Sequence, residues 1–292
     1  MILHRILKII YYSLFNPSFA PRYIKKFILK KLLPKPSCVK KNIGEIRFEA
    51  DFSSFPKGKE LSCYLQEMAL GVYEIETILY LKRVLKPGDI FVDVGANVGY
   101  ISAIAANLVG KRGQIHSFEP VPAYFNYLQK LVSLNPKYNI IVNNFAAGEF
   151  SGKTEAEIAA SPYVGAHSLV PGFLQAQEVP VTQKIEVAIM RLDDYINKKQ
   201  LDRVALIKID AELYDFQVLK GLQRYLDSGQ RPIIICEMYP QKWYQKFYGH
   251  DGGPIMEYMR SYGYDVYNIY APQKKIQFPL KEGQNVIFRA SN

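Results

Sequence analysis

Five short apolar runs recur between residues 90 and 237, and each closes on a residue that carries charge or a hydrogen-bonding group. Ile90 to Val94 holds Asp93 near its end, and Gln114 to Phe118 leads into Glu119. Asn139 to Val142 leads into Asn143 and Asn144, Ala205 to Ile209 into Asp210, and Ile233 to Cys236 into Glu237. Runs of this length without strict alternation predict strands buried on both faces, as in a parallel sheet. Helical patterns separate them. Tyr100 to Leu108 is rich in alanine, as a helix packed close to a sheet would be, and Pro122 to Leu134 places Phe125, Leu128, Leu131 and Val132 on one face. Strand and helix in alternation predict an α/β fold of the doubly wound type. Tyr264 to Tyr270 and Asn285 to Arg289 predict two closing strands.

Upstream, Ile43 to Asp51 alternates in part and predicts a strand, and Lys59 to Leu70 predicts a helix. A second helix is expected from Gly71 to Leu85, stopped by Lys86-Pro87-Gly88. Residues 151–200 break the rhythm. Thr154 to Ala160 and Lys184 to Ile189 read as extra strands around a Gly/Pro-containing loop, so the segment is expected to be an irregular insertion or lid. His167 lies in that loop and has the chemistry of a base.

Charge changes the picture at one end only. The chain has 292 residues and a net charge of +10, but residues 1–44 carry ten basic residues and no acid, leaving 27 basic against 27 acidic residues elsewhere. A basic amphipathic extension over 1–44 and a domain over 45–292 are expected. Within residues 1–33, Ile24, Phe27, Ile28 and Leu32 fall at helical spacing among lysines. This segment suits either an anionic membrane surface or packing on the domain or a second subunit. Its longest uncharged run, Ile9 to Pro21, is too short to span a bilayer. A balanced domain argues against nucleic acid as partner. Cys38, Cys63 and Cys236 form no paired motif, which predicts neither a zinc site nor a disulfide framework and suits a reducing, cytoplasmic compartment.

The turn after the Asp93 strand separates two cofactors. Gly95, Ala96, Asn97 and Gly99 form G-x-x-x-G, whereas a dinucleotide fingerprint needs glycine at position 97. A pyrophosphate would be repelled by Asp93, but S-adenosylmethionine (SAM) presents a cationic sulfonium and an amino-acid tail, which Asp93 suits. Glu119 follows at about the 20-residue distance expected of an acid that accepts the ribose hydroxyls. At the next strand exit, Asn144, Phe145 and Ala146 are candidates for the adenine. Asp210, Glu212 and Glu237 converge at strand ends, where ligands bind in such folds. Carboxylates brought together repel, which raises one pKa to make a base or else recruits a divalent metal. The residues leave both open.

The words VDVGANVGY, SFEP and LIKIDAE, spread over Gly71 to Glu237, resemble the FkbM-type methyltransferases. The resemblance implies a Rossmann-like class I fold with a seven-stranded, mostly parallel sheet, an antiparallel final strand and here an N-terminal helical extension. It implies SAM as cofactor and O-methylation of a hydroxyl on a sugar, glycan or related natural product. It adds Tyr73 and Glu74 near the cofactor's amino-acid end and Pro120 beside Glu119, and it gives Arg191-Leu192-Asp193-Asp194 a structural role. The family's Asp-x-Glu-Gly-x-Glu word is altered, with Leu213 for glycine and Asp215 for the last glutamate. Two competing functions remain. One is an NAD-dependent oxidoreductase or epimerase using the spacing of Tyr195 and Lys199. The other is a non-catalytic, membrane-tethered glycan-binding derivative. The expected location is cytoplasmic, with residues 1–33 able to hold the enzyme on the inner face of the membrane.

Overall fold

The computed structural model describes residues 36–55, 59–160, 163 and 165–291. The amphipathic segment expected over 1–33 lies outside the described residues. The chain then opens on a hairpin of β1 (Cys38–Ile43) and β2 (Ile46–Asp51), paired from Cys38 opposite Asp51 to Ile43 opposite Ile46. The domain boundary expected at 44/45 falls in the turn of this hairpin, so β1 belongs to the domain. Lys40 and Lys41 obscure its alternation, while Ile46, Phe48 and Ala50 of β2 are fully buried. Asn135 binds the hairpin to the domain: its Oδ1 accepts the Arg47 N–H at 2.8 Å and its Nδ2 donates to the Arg47 carbonyl at 2.8 Å.

Helix α1 (Lys59–Leu70) matches the sequence expectation, but α2 (Ile75–Val84) starts later than Gly71. Gly71 and Glu74 take left-handed conformations with φ of 75° and 42°, which end one helix and delay the next. The parallel core then alternates as its apolar runs predict. In order come β3 (Ile90–Val94), α3 (Tyr100–Val109), β4 (Gln114–Phe118), α4 (Pro122–Leu134) and β5 (Asn139–Asn143). On α4 it is Tyr124, with Leu128 and Leu131, that is buried, in place of the expected Phe125.

The segment expected to be irregular is mostly sheet. After β6 (Ala146–Gly148), it holds β7 (Gly152–Ala159), β8 (His167–Ser168), α5 (Phe173–Ala176) and β9 (Val181–Arg191), of which β7 and β9 are the two extra strands expected there. These strands form their own sheet in the order β6-β9-β7-β8. Its outer face hides the pattern with cross-strand ion pairs, Lys153–Glu186 at 2.6 Å and Lys184–Glu155 at 2.9 Å. The chain returns to the core through α6 (Leu192–Lys198), β10 (Leu206–Ile209), α7 (Asp215–Lys220), α8 (Gln223–Asp227) and β11 (Ile233–Met238). It ends with α9 (Gln241–Tyr248), α10 (Gly253–Ser261), β12 (Tyr264–Asn268), β13 (Ala271–Lys275) and β14 (Gln284–Ala290).

The main sheet has eight strands in the order β5-β4-β3-β10-β11-β14-β12-β13 among the described residues. Seven of them are the expected set, with β14 antiparallel between β11 and β12; β13 adds an edge as the hairpin partner of β12. This is the Rossmann-like arrangement that the sequence resemblance implies. Successive strand residues feed opposite cores: Phe91, Leu206 and Ile235 pack toward α1–α4, and Val92, Ile207 and Ile234 toward α6–α10. Chain order reverses between β3 and β10. Such a switch point opens a crevice at the carboxyl ends of the strands, where ligands bind in open α/β sheets.

Candidate active site

The crevice is a cavity of about 270 Å³. Of the residues singled out from the sequence, Tyr73, Glu74, Asp93, Gly95, Ala96, Asn97, Glu119, Pro120, Ala146, Asp210 and Glu212 line it. Gly99, Asn144, Phe145 and Glu237 do not. Each exception has a physical cause. Gly99 caps α3 at φ 80°, and a Cβ there would sit 2.7 Å from Leu128 Cδ2, so it faces helix packing. The Asn144 amide donates to the carbonyls of Glu119 and Pro120 at 3.0 and 3.1 Å, which ties two strand exits together. Phe145 packs its ring against Phe118 and Tyr195, with centroids 5.4 and 6.0 Å away. The Asn144 amide and the Phe145 ring are thus engaged within the protein, and neither residue lines the cavity. The room beside Gly95 is also not ligand room: at φ 75°, a Cβ there would lie 1.9 Å from the Asp210 carbonyl oxygen. Glycine is required for close approach of two strand ends.

Asn97 sits at φ 52°, a conformation its side chain tolerates. Its N–H donates to Glu119 Oε2 at 3.0 Å, and the Val121 N–H donates to Glu119 Oε1 at 2.9 Å. Glu119 is thus fixed between the turn and the β4 exit, and each oxygen keeps acceptor capacity. Burial pushes its carboxyl up to about 7, against the pull of those two N–H groups.

Lys208 is the residue that sequence reasoning missed. It stands in β10 beside Asp93 of β3, is 2% exposed, and lines the cavity. Its Nζ lies 2.7 Å from Asp210 Oδ2 and 3.7 Å from Glu74 Oε2. Burial works against the ammonium, but Asp210, Glu74 and Asp93 outweigh it and hold the lysine above its ordinary range. A lysine inside the apolar run Leu206–Ile209 was the available signal, since such a residue is almost never fully buried without a partner. Asp93 is fully buried and accepts a hydrogen bond from Ser102 Oγ, which meets Ser117 Oγ at 2.8 Å. Burial raises the pKa of Asp93 and of Glu74 despite the neighbouring ammonium.

Behind Asp210 lies a second acid group. Tyr239 Oη is 2.7 Å from Glu237 Oε2 and 2.9 Å from Glu212 Oε2. One phenol supplies one hydrogen, so joining three oxygens in this way requires a proton on a carboxyl. Burial and the Asp210 charge raise both glutamates, which supplies that proton near neutral pH. Glu237 thus reaches the cavity only through Tyr239, a correction to its expected place beside Asp210 and Glu212. Asp215 accepts the Ala211 N–H at 3.0 Å from a fully buried position.

Tyr195 and Lys199 stand outside the cavity; the Tyr195 hydroxyl meets His116 Nδ1 at 2.8 Å and accepts from Asn143 at 3.2 Å. Among the described residues no group of three or more His, Cys, Asp or Glu side chains could hold a metal ion. SAM is the group that the sequence implies, and the lining suits it. Glu74 Oε2, Asp93 Oδ1 and Asn97 Oδ1 are buried oxygens without a hydrogen-bond partner. All are acceptors facing a ligand whose amino-acid tail carries an ammonium and whose sulfur carries a positive charge.

A family model described as "Methyltransferase FkbM domain" matches residues 93–266, more than half of the chain. The 31-O-demethyl-FK506 methyltransferase FkbM of Streptomyces tacrolimicus is 25% identical over 213 residues, covering 62% of this chain and 75% of its own. Among solved structures, the methyltransferase FkbM from Methylobacillus flagellatus KT aligns with a TM-score of 0.43 and 16% identity over 81% of this chain, which spans 56% of that one. Fibrillarin from Aeropyrum pernix, solved with natively bound SAM, aligns with a TM-score of 0.43 and 12% identity over 74% of each chain.

Proposed function

The chain belongs to the FkbM methyltransferase family, and from that premise we propose that it transfers a methyl group from SAM to a hydroxyl of a sugar, glycan or related small natural product. The observation that carries the proposal is a set of buried acceptors without a hydrogen-bond donor on residues that line one cavity at the switch point: Asp93 Oδ1, Asn97 Oδ1 and Glu74 Oε2, the last with Lys208 Nζ 3.7 Å away. Unpaired buried oxygens of this kind cost about 1–3 kcal/mol each unless a ligand supplies the donors.

The cofactor supplies an electrophilic methyl group already activated by positive charge. Glu74 and Asp93 present negative charge to the cation, and Glu119 offers two oxygens to the ribose diol. Lys208 holds Asp210 in one orientation, so the carboxylate that faces the cavity is not free to turn away. Asp210 takes the acceptor hydroxyl's proton as the methyl bond forms, and Glu212, with its proton shared through Tyr239 toward Glu237, lines the acceptor side. Holding the hydroxyl near the methyl supplies the larger share of catalysis, on the order of 7–11 kcal/mol for well-oriented groups.

The test is turnover of SAM to S-adenosylhomocysteine in the presence of cell glycans, with SAM binding measured alongside. Asp210→Asn is expected to keep cofactor binding and to lose transfer by about 100-fold or more, as removal of a general base does. Full turnover by Asp210→Asn makes the residue structural, and no SAM binding by the native chain removes the proposal.

The basic extension supports a placement on an anionic membrane surface, each basic residue near such a surface adding on the order of 1 kcal/mol. No helix among the described residues is long and apolar enough to cross a membrane. The full chain is expected to co-sediment with anionic vesicles at low salt and the version lacking residues 1–33 to stay in solution. Equal pelleting of the two overturns the membrane role.

A further inference from the structure

The inserted sheet reaches into the cavity through β8. Its two residues pair antiparallel with β7, His167 opposite Ile158 and Ser168 opposite Glu157. Ser168 Oγ donates to the Glu212 carbonyl at 2.8 Å and accepts the Val170 N–H at 3.0 Å, which pins this strand to the exit of β10. At the other end Gly165 lies against the glycine turn, where a Cβ would come within 2.5 Å of Asn97 Nδ2. Residues 165–168 thus cover the cavity from the β3 turn to the β10 exit. Successive strand side chains point to opposite faces. Ser168 turns to Glu212, and His167 turns to Tyr124, with ring centroids 4.6 Å apart and planes tilted by 41°.

His167 lines the cavity, yet both of its ring nitrogens are buried and neither has a hydrogen-bond partner among the described residues. A neutral imidazole has one N–H donor and one lone-pair acceptor, and leaving either buried and unpaired is destabilising. Phe118, Val121, Ala146 and Ala147, which line the same cavity, carry no side-chain donor or acceptor. Glu119 accepts backbone N–H groups at its two oxygens and makes no hydrogen bond to the ring.

We propose that His167 is a cofactor-binding residue, with a ring nitrogen hydrogen-bonded to the nucleoside half of the bound cofactor and its ring, backed by Tyr124, forming the wall against it. The inference rests on SAM being the cofactor and assigns a contact from the inserted sheet. A role as general base fits less well. Burial lowers the imidazole to about 4, too weak to draw a proton from a hydroxyl efficiently. The same low pKa keeps His167 neutral, so it adds no positive charge against a cationic ligand.

The test uses His167→Phe and His167→Gln in the full chain, with titration calorimetry of SAM, S-adenosylhomocysteine and methylthioadenosine, and melting without ligand. His167→Phe keeps a ring of similar size but no polar atom. It is expected to weaken all three ligands by about three- to tenfold, the range of one hydrogen bond, because all three share the nucleoside. Its melting temperature without ligand is expected to equal or exceed that of the native chain, since an unpaired polar group has gone. His167→Gln, which keeps a donor and an acceptor, is expected to retain more of the affinity than His167→Phe. Native affinity of His167→Phe for all three ligands overturns the proposal, and so does a loss confined to SAM, which would put His167 at the sulfonium. If His167→Phe does not fold, the same comparison is made with His167→Ala, and equal affinity there overturns it. A native chain that binds none of the three overturns the SAM assignment instead, an outcome distinct from either.

Discussion

Leu213 occupies a backbone position that suits glycine. It lies at φ 73° and follows Glu212 at φ 50°, so two consecutive side-chain-bearing residues are left-handed beside the acids of the cavity. The family word has glycine here, and the sequence suggested that leucine takes away backbone freedom. The structure shows instead that the left-handed conformation is kept and the side chain is buried to 1% exposure. Strain at such a residue is about 1–2 kcal/mol, whereas deleting a buried leucine side chain costs about 2–5 kcal/mol. Burial wins. Leu213→Gly is therefore expected to lower stability by roughly 1–3 kcal/mol in chemical denaturation, and a variant as stable as the native chain would show that the strain dominates. The acids at strand ends were legible because a charged residue closing an apolar run has few other places to go. Lys208 was not, because a lysine inside such a run reads as an interruption until its partners Asp210 and Glu74 are seen. Glu237 was legible as a strand end, but nothing in its own run shows that Tyr239 stands between it and the cavity.

The parallel strands and their helices follow from local pattern, since each buries a contiguous apolar run. In the inserted sheet the strands Thr154 to Ala160 and Lys184 to Ile189 were legible, but their pairing was not, because β7 and β9 pair across more than twenty intervening residues and one face carries charge. What holds its return to the core is the Leu-Asp-Asp word at the start of α6. Asp193 is buried, with Arg191 Nη2 at 2.7 Å and Arg224 Nη2 at 2.8 Å. Its carboxylate also accepts the Arg224 N–H at 3.1 Å. Burial alone would raise its pKa, but the two guanidiniums and that N–H outweigh burial and hold it below the usual range. A depressed carboxyl contributes stability that is present above the unfolded value and is lost as pH falls through the folded one. Breaking a buried pair costs about 3–5 kcal/mol, and the solvent exposure of Arg224 reduces that figure here. Asp193→Asn is expected to lose about 2 kcal/mol at pH 7, and the difference from the native chain is expected to shrink as pH falls below the ordinary carboxyl range, where the native chain gives up the contribution. The same loss at low pH would mean that Asp193 acts through shape and not charge.

Beyond residue 44 the acids and bases nearly cancel, but they are not evenly placed. Glu74, Asp93, Glu119, Asp210 and Glu212 line one cavity, against which Lys208 sets a single ammonium among the described lining residues. The crevice and the gathering of Asp93, Glu119, Asp210 and Glu212 at it were readable from the alternation of runs, whereas the single ammonium of Lys208 among them was not, since it depends on which strands become neighbours. Burial raises Glu74, Asp93, Glu119 and Glu212. Raised carboxyls contribute stability that is complete below their unfolded range near 4 and is lost as pH rises through the folded values. For Glu119, at about 7, that loss runs from about pH 4 to about pH 7 and is on the order of 3 kcal/mol. His116 and His167, both lowered to about 4 by burial, act the other way: their contribution is present above about 6.5 and fades as pH falls. A cation placed among the acids lowers their pKa values, so it must release protons on binding. SAM and S-adenosylhomocysteine share the ammonium, the carboxylate and the nucleoside, and differ in the methyl group and its sulfonium charge. Calorimetry at pH 7 in buffers of different ionisation enthalpy is therefore expected to show more protons released by SAM than by S-adenosylhomocysteine. The affinity of SAM relative to S-adenosylhomocysteine is expected to rise between pH 6 and 8, and Glu119→Gln to reduce the difference in proton release. Equal release by the two ligands would show that the acids do not face the sulfonium, and the cavity's charge would then serve the ammonium alone.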